Sequence, residues 1–307
     1  MQINLINVSN FEIKKEVITM KNLNRVIAAA AALTIGAALT GCGASNNTAS
    51  NTASNESSTA NSSESKTIKI AASSTPHAEI LEKAKPILEK EGYDLEVTVF
   101  DDYVQPNLVV ESGEFDANYV EHLPYLENFN KEQGTHLVSV GGIHYEPFGI
   151  YPGTKKTLDE ISDGDVIAIP NDTTNEARAL LLLQDNGLLK LKDGVSLTAT
   201  VNDIAENPHN VKFQELEAAQ VARVKDEAAY VVLNGNYALE AGFSVKKDSI
   251  AYEAGDSEAA KTYVNIVVVK EGNEEKEGIK KLVEVLKSDE IKQFINDNYD
   301  GAVVPFN

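Results

Sequence analysis

Asn175 and Arg178 stand three residues apart, in Asn175-Glu176-Ala177-Arg178, at the start of an apolar helical stretch. That spacing puts them on one face of a helix. A helix N-terminus favours an anion, and a guanidinium adds a fork of donors suited to a carboxylate. The chemistry on offer is recognition of an acid group. An exposed Arg178 paired with Glu176 or Asp172 fits the same spacing, and both readings stand. Asn234, in Asn234-Gly235-Asn236, offers amide donors and acceptors, or makes an ordinary turn. Asn265 interrupts the apolar stretch 263–269; once buried, it needs the backbone or a ligand as partner. Aromatic side chains gather around Asp101-Asp102-Tyr103 and in 119–125, where Tyr119, His122 and Tyr125 lie. They suit a pocket wall or a core.

Of five histidines (His77, His122, His136, His144, His209), His122 and His144 offer metal-ligand atoms with Glu146. Their spacing matches no tight metal motif, so no metal and no cofactor is expected. There is no G-x-S-x-G elbow, no phosphate-cradling glycine loop and no H-E-x-x-H helix. Binding is favoured over catalysis, and no enzyme activity is expected. With 47 acidic against 27 basic residues and a formal charge of −20, the chain is a poor ligand for a phosphate backbone. No nucleic-acid partner is expected.

The single Cys forms no internal disulfide and builds no Cys-rich metal site. Its surroundings give it another use. Residues 20–25 are basic, 26–40 are small and apolar without charge, and the run ends in Leu39-Thr40-Gly41-Cys42. An apolar run of that length suits a secretory signal better than a membrane span. The tetrapeptide resembles the lipobox of bacterial lipoproteins, in which cleavage precedes a lipidated Cys. Residues 1–41 are therefore read as a signal peptide, with 1–19 as an upstream misread start. Cleavage leaves 23 basic and 45 acidic residues, a net of −22. A lipid on Cys42, rather than basic charge, would hold the chain at the extracytoplasmic face of the cell membrane. Residues 42–66 carry almost only Ser, Thr, Asn, Ala and Gly; they read as a flexible tether, too polar to offset their ordering entropy.

From residue 67 strand and helix alternate. Strands are expected at 68–72, 95–100, 166–169, 211–216, 228–233 and 263–269, with 137–140 and 148–151 flanking a bend at Gly141-Gly142 and Glu146-Pro147. Helices are expected with Ile80, Leu81, Ala84, Ile87 and Leu88 on one face, from Thr173 to about Asp185, and over two amphipathic stretches carrying Leu282 and Ile295. Thr173-x-x-Glu176 has the spacing of a capping box. This alternation predicts an α/β protein with mainly parallel sheets, long enough for two lobes. Ligands of such sheets bind beyond the carboxyl ends of strands, here 73–76, 101–107, 171–175 and 234–236.

Several segments resemble the methionine-binding lipoproteins of ABC importers, the MetQ/NlpA family. They include Asp102-Tyr103-Val104-Gln105-Pro106-Asn107, Phe115-Asp116-Ala117-Asn118, His122-Leu123-Pro124-Tyr125-Leu126 and Pro170-Asn171-Asp172-Thr173-Thr174-Asn175-Glu176-Ala177-Arg178. The likeness runs collinearly from about 67 to 306. It implies a two-lobed, periplasmic-binding-protein-like (type II) fold with a cleft between lobes joined by two crossover strands. Lobe 1 would be 67–148 plus 265–307 and lobe 2 would be 149–264, with hinges near 146–151 and 263–267. By the same resemblance Tyr103, His122 and Tyr125 line the pocket for a thioether side chain. Arg178 takes the α-carboxylate, while Asn175, Asn234 and Asn265 bond the head group. The implied partners are L-methionine or a close analogue, an ABC permease and its ATPase. Val120-Glu121 departs from the Phe-Gln usual in the family before the His. That leaves a related amino acid, the D-enantiomer, a methionine-containing dipeptide or a divalent metal as alternative ligands. A surface enzyme or an adhesion module is the reading from another class.

Overall fold

The computed structural model describes residues 66–254 and 258–306. The expected signal peptide, Cys42 and the tether up to 65 lie outside the described residues. Two sheets, each flanked by helices, make up the body.

The first sheet takes strands from both ends of the described chain: β1 (Thr67–Ala72), β2 (Asp94–Val99), β3 (Ala117–His122), β4 (Leu137–Tyr145), β12 (Val264–Lys270) and β13 (Val304–Pro305). Their order is β13-β4-β12-β3-β1-β2. The second sheet uses only the middle of the chain: β5 (Gly149–Pro152), β6 (Val166–Pro170), β9 (Lys212–Leu216), β10 (Tyr230–Leu233) and β11 (Ala251–Tyr252), ordered β11-β5-β10-β6-β9. Two short strands, β7 (Lys190–Leu191) and β8 (Ile204–Glu206), pair apart from both. The two-lobed α/β architecture expected from the resemblance is present.

The sheets are mixed, which corrects the expectation of mainly parallel pairing. Strands joined through helices, β1 with β2 and β3, and β6 with β9 and β10, pair in parallel. Strands next to the points where the chain changes sheet pair antiparallel: β12 with β3 and β4, and β5 with β10 and β11. The chain changes sheet twice, between Tyr145 and Gly149 and between Tyr252 and Val264. Of the second expected hinge, 263–267, all but Tyr263 belongs to β12, an interior strand of the first sheet.

β4 runs through Gly141 and Gly142 without the expected bend. A Cβ at these positions would stand 2.9 Å from Val283 Cγ1 and 2.7 Å from Val264 Cγ1, respectively. The glycines therefore admit close neighbours rather than a turn. β3 escaped the pattern reading because all six of its residues are buried; a strand covered on both faces shows no alternation.

The seven helices that matter here are α1 (Glu79–Lys90), α2 (Gln105–Glu111), α3 (Leu123–Gln133), α4 (Thr173–Asp185), α5 (Gly235–Glu240), α6 (Glu277–Leu286) and α7 (Asp289–Asn298). α1, α6 and α7 put Ile80, Leu81, Leu282, Leu286, Ile291 and Ile295 against the first sheet in one apolar core. Each such side chain contributes about 1.5–3 kcal/mol on burial. α4 does the same for the second sheet with Leu180 and Leu183. Its N-cap is Asp172, whose side chain accepts from Asn175 N, so Thr173 does not begin a capping box. Glu176 accepts instead from Val201 N, at 2.9 Å.

Candidate functional site

The ends of these strands surround one cavity. Its wall contains Tyr103, Val120, Glu121, His122, Tyr125, Glu146, Asn175, Arg178, Asn234, Gly235, Asn236 and Asn265, around about 310 Å³ of atom-free space that includes the open mouth. All seven residues singled out from the sequence as ligand-binding are in this wall, and all are buried. Topology explains the gathering. Tyr103 follows β2, His122 ends β3, Asn175 opens the helix after β6, and Asn234 follows β10. Each lies at the carboxyl end of its strand, where an open α/β sheet presents its loops.

Arg178 is held from several sides. Its Nε donates to Glu253 Oε1 at 2.8 Å, while Nη2 donates to Glu253 Oε2 at 2.5 Å and to the Glu146 carbonyl at 3.1 Å. Tyr263 and Phe148 lie over the guanidinium, 4.1 and 4.7 Å from ring centroid to Cζ. Burial works against its charge, but the Glu253 carboxylate outweighs it and the pKa rises further. Arg178 is therefore neither exposed nor paired with Glu176 or Asp172. Glu253 also accepts from Tyr145 OH and Phe148 N, which fixes the guanidinium plane. Arg178 Nη1 makes no hydrogen bond among the described residues.

Asn175 ties the lobes together. Its Nδ2 donates to both carboxylate oxygens of Asp172, and its Oδ1 accepts from His122 Nε2 (3.1 Å) and Asn234 Nδ2 (2.9 Å). His122 Nδ1 accepts from Tyr125 N and so caps α3. Burial, helped by Arg178, brings the His122 pKa down to about 3, so the ring is neutral with its proton on Nε2. Tyr103 OH donates to Asn236 Oδ1 at 2.5 Å across the cavity, and its ring meets that of Tyr125 edge-on at 5.6 Å.

Behind the wall is a buried layer that sequence reasoning missed. Asn265 Oδ1 accepts from His77 Nε2 at 2.9 Å, and Ser73 Oγ lies 2.6 Å from His77 Nδ1. His144 Nε2 donates to Glu146 Oε1 at 2.7 Å, and Tyr119 OH bonds His144 Nδ1. Burial pushes His77 down to about 4, with Glu146 pulling the other way, and His144 down to about 3. Burial pushes the Glu146 carboxyl up, against His77, the Asn236 N–H and Arg178. The metal alternative expected His122, His144 and Glu146 together. Among the described residues, the group whose ligand atoms fall within 4.8 Å of one another is instead His77, His144 and Glu146. Their ring nitrogens and Glu146 Oε1 are committed to the hydrogen bonds just given, so the trio reads as a hydrogen-bonded network. The sequence offered Glu146 only as a metal ligand beside His122 and His144. Glu253 had no local signal at all.

The pattern that describes the NlpA lipoprotein family matches residues 68–307. The chain belongs to that family. It is 41% identical over 244 residues to the methionine-binding lipoprotein MetQ of Bacillus subtilis (strain 168), covering 78% of this chain and 88% of that one. A crystal structure of a Ruminococcus gnavus ATCC 29149 lipoprotein is 76% identical with a TM-score of 0.79, covering 79% of this chain and all of that one. A Burkholderia cenocepacia nutrient-binding protein, solved bound to methionine, is 40% identical with a TM-score of 0.74, covering 78% of this chain and all of that one. The two-lobed α/β fold described above is shared with both solved structures.

Proposed function

We propose that this protein is the solute-binding lipoprotein of an ABC importer, capturing methionine or a close analogue and handing it to the permease. The carrying observation is that one cavity wall brings together Arg178, the Glu146 carboxyl, four asparagines and the rings of Tyr103 and Tyr125. In this reading Arg178 Nη1, the nitrogen without a protein partner among the described residues, takes the α-carboxylate. Glu146, in the wall with its carboxyl buried, is the counter-charge for an α-ammonium, beside Asn234 and Asn265. Tyr103 and Tyr125 offer faces to a polarizable side chain. The methionine-binding relatives support the same ligand.

In this reading Asn175 acts through its neighbours. With both ends of its amide engaged, it positions His122 and Asn234 rather than bonding the ligand. The lobes divide near 148/149 and 264/265, and opening is a hinge motion at the two chain crossings. A lipid on Cys42 holds the protein at the extracytoplasmic face, and an ABC permease and ATPase receive the ligand. No helix among the described residues is long and apolar enough to cross a membrane; the reading assigns attachment to the lipid. The role is capture and release, without turnover.

Native mass spectrometry of the purified lipoprotein tests this directly. The expected result is a copurified amino acid of methionine's size. A divalent metal with no amino acid would overturn the reading.

A further inference from the structure

One part of the cavity wall is shaped by a β-bulge. β3 pairs with β12 as His122↔Asn265, Glu121↔Ile266, Tyr119↔Val267 and Asn118↔Val268. Val120 has no opposite number, so it is the extra residue of a β-bulge. A bulge re-aims the side chains that follow it. Simple alternation would put Glu121 on the face of Tyr119, which packs in the core with Val267. The bulge instead sets Glu121 opposite Ile266, on the face shared with Tyr103 and Tyr125. Glu121 is only 3% exposed and is part of the cavity wall.

Its neighbours hold it only loosely. Neither carboxyl oxygen of Glu121 has a partner at full hydrogen-bond geometry among the described residues, nor do Asn107 Nδ2 and Asn118 Oδ1. Asn118 Nδ2 donates to Asn107 Oδ1 at 2.6 Å. Burial pushes the Glu121 carboxyl up to about 8, against weaker hydrogen bonding from the Asn107 and Asn118 side chains. At neutral pH it is mainly the acid, with one O–H to donate and one oxygen to accept. Leaving such a group unpaired against a bare thioether is unfavourable. A site with buried polar groups discriminates strongly against ligands that leave them unpaired.

We infer that Glu121 is the specificity-determining residue of this cavity, and that it selects an α-amino acid of methionine's length whose side chain ends in a hydrogen-bonding group, such as a sulfoxide or a primary amide. This rests on the amino-acid reading of the same cavity. The head group is held as for methionine, and the side-chain tip meets the acid where the family's usual residue is Gln.

Titration calorimetry of the full chain in detergent tests it, with L-methionine, L-methionine sulfoxide and L-glutamine as separate probes. The wild type should bind the sulfoxide or glutamine about tenfold or more tighter than methionine. Glu121→Met should reverse that order. Glu121→Gln, which still donates, should keep it for the sulfoxide, a result that a merely structural role would not give. Wild type that binds methionine as tightly as either polar probe overturns the inference and leaves the amino-acid reading standing; this holds even if Glu121→Met fails to fold. Binding of none of the three overturns the amino-acid reading, and the inference falls with it.

Discussion

Two groups of residues around the cavity differ in how firmly they are already held. At the head-group end most of the charged and amide side chains are already held: Arg178 by Glu253, Asn175 by Asp172 and His122, Asn265 by His77, Glu146 by His144, with Asn234 Oδ1 and Asn236 Nδ2 still unpaired. At the side-chain end Glu121, Asn107 and Asn118 leave four buried atoms without a partner at full hydrogen-bond geometry. Groups locked by a supporting layer lose little freedom when a ligand arrives. That suits a part common to every amino acid. An unsatisfied group withholds its stabilisation until a particular ligand supplies the missing partner. Affinity for the class and choice within it are therefore separable, and substitutions should separate them.

The largest effect belongs to Arg178. Arg178→Ala removes the charge opposite a ligand carboxylate and leaves the part-buried Glu253 without its cation, with its side chain 9% exposed. Breaking a buried pair from one side costs about 3–5 kcal/mol. Denaturant melts should show that loss, and calorimetry should show amino-acid binding at least about 100-fold weaker. Near-normal binding in this variant would mean that the head-group end is not organised around the ion pair.

Next comes pH, because the buried histidines and Glu121 fail in opposite directions. His77, His122 and His144 titrate at about 4, 3 and 3 when folded, below the ordinary 6.5. The unfolded chain binds more protons in that window, so their stability is lost as pH falls below 6.5. Glu121 is raised from 4.5 to about 8. There the folded chain binds the extra proton, so stability is lost as pH rises from 4.5 to 8. Thermal melts of wild type and Glu121→Gln between pH 4 and 9 should diverge on the alkaline side, with wild type falling relative to the variant. Parallel curves would show that Glu121 carries no such shift.

Much of this was readable in the sequence, and what was missed has a common cause. Arg178, Asn175, Asn234 and Asn265 stood out because each is a polar residue at the edge of an apolar element, and strand ends converge in this class of fold. The amphipathic faces of α1, α6 and α7 were equally plain. Glu253 is 75 positions from Arg178 and His77 is 188 from Asn265; no local pattern links them. β3 was missed because it is buried on both faces, and its bulge depends on pairing with a strand some 140 residues later in the chain. Val120 and Glu121 were visible as a departure from the family, but only the register shows where Glu121 points.

Gly235 gives a smaller test of the head-group end. A Cβ there would lie 2.6 Å from Glu146 Cβ and 2.7 Å from its Oε2. Gly235→Ala must push Glu146 aside, an overpacking cost of about 1–3 kcal/mol. Because Glu146 faces the ligand ammonium in our reading, affinity should fall for methionine and for polar-tipped amino acids alike. A loss confined to one ligand would move Glu146 to the selective end.

The smallest effect should come from the layer behind the wall. Ser73 is 3% exposed and lies outside the cavity lining. Its Oγ meets His77 Nδ1 at 2.6 Å, while His77 Nε2 independently donates to Asn265. Ser73→Ala deletes one hydrogen bond and leaves a ring nitrogen without its donor, worth about 1 kcal/mol of stability. The His77–Asn265 bond survives, so Asn265 keeps its place in the wall. Denaturant melts should therefore register the change while ligand affinity stays within about twofold, well under the tenfold that 1.4 kcal/mol represents. A tenfold loss of affinity would mean that the supporting layer and the wall act as one network, and that the head-group end is held less firmly than its hydrogen bonds imply.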